Sequence, residues 1–363
     1  MFNKDKRERL NPVDRVLTAF ACQIPDRVPI DYAANPDIDV RLKKYFGLKK
    51  NENEALLKIL GVDFRELQPQ YTGPRLHAEI SGMYVDPVTG MKTKWIEHAS
   101  GGYEEICDFP LRDADEEQIA AWPVPSADDY DYKSVSEACK NYSKYAVWTG
   151  GQPDIINNTG RLRTMEQVLI DLATDEPAGL MLIDKRMNYE LEVVYRTLEA
   201  AKGGINFLYL GEDLGTQRGP MISMELFRKH IKPRIKKFAD LAKSFNIPVM
   251  IHSCGSSSWA FDDLIEIGIN VVDTLQPEAK DMDPAYLKRK YGDRLGFHGC
   301  ISTAGPVAYG TVQEIVDNVK ETLEVMMPGG GYCMSPTHYL QDNSPTENVV
   351  AMYETTHKFG WYD

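Results

Sequence analysis

The sequence predicts an α/β chain folded as a (β/α)8 TIM barrel with an inserted antiparallel hairpin. Three observations carry this. Short apolar runs rich in Val, Ile, Phe and Tyr recur along the chain with helical patterns between most of them, which is the alternation of parallel βα units. Eight such runs can be drawn, the number that closes a barrel. The last five end in residues suited to acid–base or metal chemistry, and a parallel barrel gathers such residues at the C-terminal mouth of its strands.

The eight runs are 27–32, 66–71, 145–150, 205–210, 248–252, 270–275, 294–298 and 331–334. Helical spacing of apolar residues marks 224–245, 259–267, 285–291 and 312–326, the last stopped by Pro328-Gly329-Gly330-Gly331. A closing helix covers 345–358, and two adjacent helical segments, 163–173 and 176–200, precede the fourth strand. Between the second and third runs lie about 70 residues, far more than one crossover needs. There, 82–105 alternates around Asp86-Pro87-Val88-Thr89-Gly90, a hairpin turn. The whole chain, 1–363, is read as one domain with its insertion around 76–140. The hairpin aromatics Tyr84, Trp95 and Tyr103 either close over the mouth or pack only for the hairpin's own stability.

Composition narrows the function classes. The 363 residues are 43% apolar and 26% charged, with net charge −13. That acidity argues against general nucleic-acid binding, which needs a basic face for phosphates. No apolar run reaches the ~18 residues of a membrane span, and the first residues lack the apolar core of a signal peptide. Six cysteines over so long a chain do not form a disulfide framework, so the expected setting is the reducing cytoplasm. No dinucleotide fingerprint, Walker loop or Gly-x-Ser-x-Gly elbow occurs.

The strongest local signal is Val249-Met250-Ile251-His252-Ser253-Cys254-Gly255. Strand side chains alternate, so His252 and Cys254 share a face where the strand meets its loop. A nitrogen and a sulfur converging there suit Zn²⁺. The other run ends carry Glu212 and Asp213, Gln276-Pro277-Glu278, His298-Gly299-Cys300, and Ser335-Pro336-Thr337-His338. A catalytic zinc takes three protein ligands, and His338, Cys300 and Glu278 compete for the third place. Glu212, Asp213 and Glu278 are the acid–base candidates, although Glu212 and Asp213 cannot both face the pocket. Arg161, Arg163 and Arg218 follow run ends and are candidates to anchor a carboxylate of substrate or cofactor. Cys333 is assigned to the core; Cys22, Cys107 and Cys139 show no ligand spacing. His230 and His357 fall on helices and read as structural, and His77 and His98 carry no usable signal.

With these residues in order, the chain resembles the uroporphyrinogen decarboxylase superfamily. The matching stretches are Asn11-Pro12-Val13-Asp14-Arg15-Val16 with Asp26-Arg27-Val28-Pro29, Gly211-Glu212-Asp213-Leu214-Gly215, His252-Ser253-Cys254-Gly255, and Gln276-Pro277-Glu278. His298-Gly299-Cys300-Ile301-Ser302 and the stretch from Gly329 through Ser335-Pro336 to Val349 complete the set. The resemblance implies the barrel and two main chemistries. Decarboxylation of a porphyrinogen needs an arginine-rich segment after Asp26-Arg27-Val28-Pro29; this chain continues Ile30-Asp31-Tyr32-Ala33-Ala34-Asn35. The other branch, zinc-dependent methyltransferases that exchange methyl groups with a corrinoid, has a His-x-Cys among its metal ligands. In the coenzyme M enzymes of that branch a Cys follows Ser-Pro-Gly; here His338 stands there, which ranks it first for the third ligand and disfavours thiol acceptors. The resemblance thus implies Zn²⁺, a corrinoid (cobalamin) held by a separate protein, and a small methyl donor or acceptor such as an aromatic methyl ether. No Asp-x-His-x-x-Gly is present to take up the corrinoid on this chain. A homodimer is compatible with the family. The alternatives are a metal-independent decarboxylase and a non-catalytic barrel that binds a tetrapyrrole or a partner.

Overall fold

A computed structural model describes residues 7–98, 101–150 and 153–363. Residues 1–6, part of the N-terminal stretch considered above, and the His98 side chain lie outside the described part. Seven strands form one curled parallel sheet in chain order: β1 (Phe64–Glu66), β2 (Ala146–Thr149), β3 (Phe207–Gly211), β4 (Val249–His252), β5 (Val271–Leu275), β6 (Gly296–Ile301) and β7 (Tyr332–Pro336). Every residue of β5, β6 and β7 is buried, as expected where helices cover one face and the barrel interior the other.

The eighth position is filled by a segment too short to count as a strand. Ile30 makes a parallel bridge to Met334. The Asp31 amide donates to Met334 O at 2.9 Å, and the Asp63 amide donates to Ile30 O at 2.9 Å. Residues 29–31 therefore stitch β7 to β1 and close the ring. The expected strand 27–32 shrinks because Pro29 has no N–H for a ladder and because Arg27 is bound elsewhere. Its guanidinium meets Asp63 at 2.8 Å, and Asp63 also accepts from Arg15 Nη1 at 2.7 Å and from the Ile30 amide at 2.9 Å. Arg15 in turn pairs with Asp26 at 2.7 Å. The second strand was expected at 66–71; the barrel strand begins earlier, at Phe64, and Gln70–Tyr71 pairs instead with Tyr130–Asp131.

The later helices fall where the periodicity puts them, at Pro284–Tyr291, Val312–Met326 and Thr346–Phe359. The helix expected at 224–245 is continuous from Met224–Leu226 to Lys232–Ser244 through a π turn at Phe227–Ile231. Pro233 cannot donate to a carbonyl one turn back, and the widened turn relieves that clash. In place of one helix over 163–173 there are two, Ile155–Arg163 and Met165–Thr174, broken at Thr164 with φ +69°. The first of these was not expected.

The insertion contains the antiparallel sheet Tyr84–Val85, Lys92–His98 and Gly101–Asp108. Its turn forms because the Asp86 carboxylate accepts the amides of Val88 and Thr89. Tyr84, Trp95 and Tyr103 are exposed; Trp95, at 60%, lies across Gly102, where any β-carbon would strike the indole. Among the described residues, no helix is long and apolar enough to cross a membrane.

Candidate metal centre at the barrel mouth

The loops after β3 and β4 are fastened to each other, and this aims the site. The Leu214 amide donates to Ser253 Oγ at 3.0 Å, and the Ser256 amide donates to Thr216 O at 2.9 Å. Gly255 has φ +70°, and a β-carbon there would lie 2.5 Å from Gly215 O, so only glycine lets the two loops approach. Cys254, between Ser253 and Gly255, turns into the mouth beside His252.

Among the described residues, one group of side chains is placed to hold a metal ion: Asp213, His252 and Cys254, with ligand atoms within 4.8 Å of one another. Cys254 Sγ is 3.3 Å from His252 Nε2, and Asp213 Oδ1 is 3.5 Å from the same nitrogen. Tetrahedral sites with ordinary zinc bond lengths need N···S and N···O separations of roughly 3.4–3.6 Å, and the two separations from His252 Nε2 lie close to this. Asp213 is fixed at both oxygens. Oδ1 accepts from the Cys254 amide at 2.7 Å, and Oδ2 accepts from Asn157 Nδ2 at 2.8 Å.

His252 is oriented from behind. Its Nδ1 meets Asp273 Oδ2 at 2.9 Å and Thr274 Oγ1 at 3.0 Å. With a metal bound and the proton kept on Nδ1, Nε2 would turn its lone pair toward the site of Cys254 and Asp213, the usual arrangement behind a metal-binding imidazole. Asp273 also accepts from His298 Nδ1 at 2.5 Å and from the Tyr209 hydroxyl. His298 Nε2 reaches Asp31 Oδ2 at 3.1 Å. Burial would raise the Asp273 pKa, but His298 and His252 together hold it far below the carboxylate range. Burial likewise opposes charge on His298, yet Asp273 and Asp31 lift its pKa to about 10. Against the same burial, Asp273 and then Cys254 raise His252 well above its ordinary value.

The remaining candidates are placed as follows. Glu212 does not face the pocket. It is fully buried and accepts the amides of Ile155 at 2.8 Å and Ile156 at 3.3 Å, holding the start of helix Ile155–Arg163. Burial first, and Asp154 second, push its pKa well up. Its contacts are with backbone, which makes it a positioning group for the helix that carries Asn157. Glu278 is exposed and accepts from Ser302 Oγ at 2.9 Å. His338 is exposed at the mouth beside Tyr339 and outside the donor group. Desolvation, followed by the charge of nearby His252, lowers its pKa. Cys300 is buried and also outside the group. Gly299 and Cys300 have φ of +108° and +74°, which breaks the alternation that would have put Cys300 on the face of His298. Cys333 is buried in the core.

Arg163 offers nothing to a ligand. It is buried, pairs with Asp171 at 2.6 Å, and donates to the carbonyls of Leu111 and Ala114. Arg161 and Arg218 are exposed, Arg218 on the tight hairpin between Thr216 and Gly219. Sequence reasoning passed over Asp273, Thr274 and Asn157. The first two sit inside Val271-Val272-Asp273-Thr274-Leu275, where an acid in an apolar strand was itself a usable signal. Asn157 lies in a stretch without periodicity.

A family model for uroporphyrinogen decarboxylase (URO-D) matches residues 180–359. No curated protein sequence matches the chain. Among solved structures, a methyltransferase from Methanosarcina mazei aligns over 97% of this chain and 99% of its own, with TM-score 0.66 and 17% identity. That likeness establishes a common fold over the full length. A 3-keto-D-glucoside 4-epimerase from E. coli overlaps 62% of this chain and 85% of its own, at TM-score 0.37 and 12% identity.

Proposed function

We propose that this chain, which belongs to the uroporphyrinogen decarboxylase family through residues 180–359, is a zinc-dependent methyltransferase that works with a separate corrinoid protein. The observation that carries this reading is the nitrogen, sulfur and oxygen donor set of His252, Cys254 and Asp213 at the C-terminal mouth of the barrel. The fold likeness to the M. mazei methyltransferase supports it. The donors fit zinc in kind and in spacing. Asp213 takes the third place for which His338, Cys300 and Glu278 were considered.

Zinc bound there would act as a Lewis acid on the leaving heteroatom of a methyl donor or would hold an acceptor thiol as thiolate. The chain's own residues do the positioning. Asp273 and Thr274 keep His252 in one orientation, and Asn157 and the Cys254 amide keep Asp213 in place. Glu212 anchors the helix from which Asn157 projects. In methyl transfer the bond from the methyl carbon to its donor atom breaks as the bond to the acceptor forms, and the electron pair stays with the leaving atom. Such an in-line displacement depends on alignment. The exposed His338 imidazole, with its lowered pKa, is the group at the mouth suited to carry a proton to or from the leaving atom. A methyl ether is the substrate class that needs that proton. In this reading the corrinoid is carried by a partner protein.

Metal content by plasma mass spectrometry tests the site. The expected result is about one zinc per chain in the wild type and none retained by Cys254→Ala. Zinc at full occupancy in Cys254→Ala, or none in the wild type after zinc is supplied, removes the metal centre and the methyl-transfer reading with it.

A further inference from the structure

The donor group occupies one side of the mouth, and the ends of β1 and β2 build another. Phe64 and Glu66 lie on one face of β1, and Phe64 meets the rings of His298 at 5.6 Å and Phe207 at 5.9 Å inside the barrel. Glu66, two residues further on at the C-terminal end, is therefore aimed into the mouth. Its register partner on β2 is Trp148, which packs on Tyr209 of β3 at 4.9 Å. The Tyr209 hydroxyl bonds Asp273, the carboxylate behind His252. The wall thus runs from Glu66 past two half-buried aromatic rings to the histidine of the donor group. Neighbouring strands lie ~4.8 Å apart, so β1 and β4 are at most about 14 Å apart around this wall, a span that a small molecule can bridge.

Glu66 differs from the other acids of the mouth. Asp273 and Asp31 flank the imidazole of His298, and Asp213 is held by Asn157 and the Cys254 amide. Among the described residues, Glu66 has no cationic partner. It accepts one long hydrogen bond, from Gln68 Nε2 at 3.4 Å. Glu66 is exposed, yet desolvation by the surrounding wall is the first cause of its raised pKa; Gln68 works against this, and the charge of Asp31 adds to it. Burial, and then the charge of Glu66, raise the pKa of Tyr339, which puts that exposed ring near the same carboxylate.

A cation seated here would offset both the desolvation of Glu66 and the repulsion from Asp31. An ammonium group gains a charge-assisted hydrogen bond from the carboxylate and attraction to the faces of Trp148 and Tyr339. An anion would meet repulsion only. We propose that Glu66, with Trp148 and Tyr339 beside it, is a specificity-determining residue that selects a compound carrying an ammonium group at the end away from the donor group. Calling that compound the methyl substrate rests on the methyl-transfer reading; its binding at Glu66 does not.

Three ligands that differ only in the charge of one end test this: 2-(4-methoxyphenyl)ethylamine, 2-(4-methoxyphenyl)ethanol and 4-methoxyphenylacetate. Calorimetric titration of the full chain should show saturable binding of the amine, with the alcohol at least about tenfold weaker and the carboxylate weaker still. Glu66→Gln should bring the amine to within about threefold of the alcohol and leave the alcohol itself unchanged. The titrations are made with zinc removed and with zinc supplied, and the preference for the amine is expected in both. Amine binding that does not saturate, alcohol or carboxylate bound as tightly as the amine, or a full preference for the amine in folded Glu66→Gln would each overturn the proposal. A chain that retains no zinc and still prefers the amine through Glu66 upholds it and removes the methyl-transfer reading alone.

Discussion

Asp273→Asn is the most informative single change for the metal centre. The carboxylate accepts from His252 Nδ1, His298 Nδ1, the Tyr209 hydroxyl and its neighbour's amide, Thr274 N, at 2.6 Å. An amide offers one accepting atom where the carboxylate offers two, and it puts N–H groups against at least one imidazole N–H. His252 must then rotate or change tautomer, and its Nε2 no longer faces Cys254 and Asp213 squarely. Loss of such a partner behind a metal-bound histidine costs roughly 10–100-fold in metal affinity, which is about 1.4–2.7 kcal/mol. Competition with a chromophoric zinc chelator measures this directly. Asp31→Asn is the control, because Asp31 touches His298 and not His252; its effect should stay within about threefold. An Asp273→Asn protein with wild-type circular dichroism and zinc affinity within threefold of wild type would refute the argument that Asp273 orients the ligand.

Two further outcomes concern the frame around the site. Asp63→Asn leaves Arg15 and Arg27 buried and removes the one of their three acidic partners, Glu8, Asp26 and Asp63, that binds both closely, at 2.7 and 2.8 Å. Breaking one side of such a buried pair costs about 3–5 kcal/mol, to be read from urea unfolding; a loss below about 1 kcal/mol would mean that the closing segment 29–31 does not depend on it. His357 donates Nε2–H to Leu60 O at 2.9 Å, and burial holds its pKa down at about 4. The unfolded chain protonates this imidazole near 6.5. The neutral form therefore stabilises the fold fully above that pH, and the contribution is lost as the pH falls from about 6.5 to 4. Allowing for partial exposure, the loss is roughly 2 kcal/mol. His357→Gln keeps a donor and cannot titrate, so its stability should fall less than that of the wild type over this interval; parallel curves would show that His357 is not the group responsible.

What the sequence made legible follows from where periodic signals survive. The apolar run of β4 and its polar end located His252 and Cys254 because alternation holds up to the last strand residue and both side chains turn the same way. The same rule stops at the end of β3. Glu212 and Asp213 are chemically alike there, and only the position of the helix Ile155–Arg163 decides that Glu212 binds its first amides while Asp213 goes to the mouth. That helix had no amphipathic pattern to reveal it, because it carries polar Asn157, Asn158 and Thr159 where a surface helix would alternate faces. The segment 29–31 was legible as an apolar run and illegible as a single bridge, because Pro29 has no amide for a longer ladder and Arg27 is held by Asp63.

The third donor shows most clearly why spacing alone falls short. After β7 the chain buries Thr337, whose Oγ1 accepts the Thr303 amide at 3.2 Å, and the next residue, His338, is exposed at the mouth. After β4 the chain is instead held down by Ser253 and Gly255 onto the β3 loop, which carries Asp213 to within hydrogen-bonding distance of the Cys254 amide. Two loops of similar polarity thus place their metal-competent residues differently, Cys254 within the donor group and His338 exposed outside it. The direction of His338 also separates two roles that the sequence had merged. A histidine among the donors would be occupied by the metal, whereas one exposed above them keeps a titratable nitrogen for the leaving group. Replacing His338 should therefore leave zinc content unchanged while lowering turnover of a methyl ether.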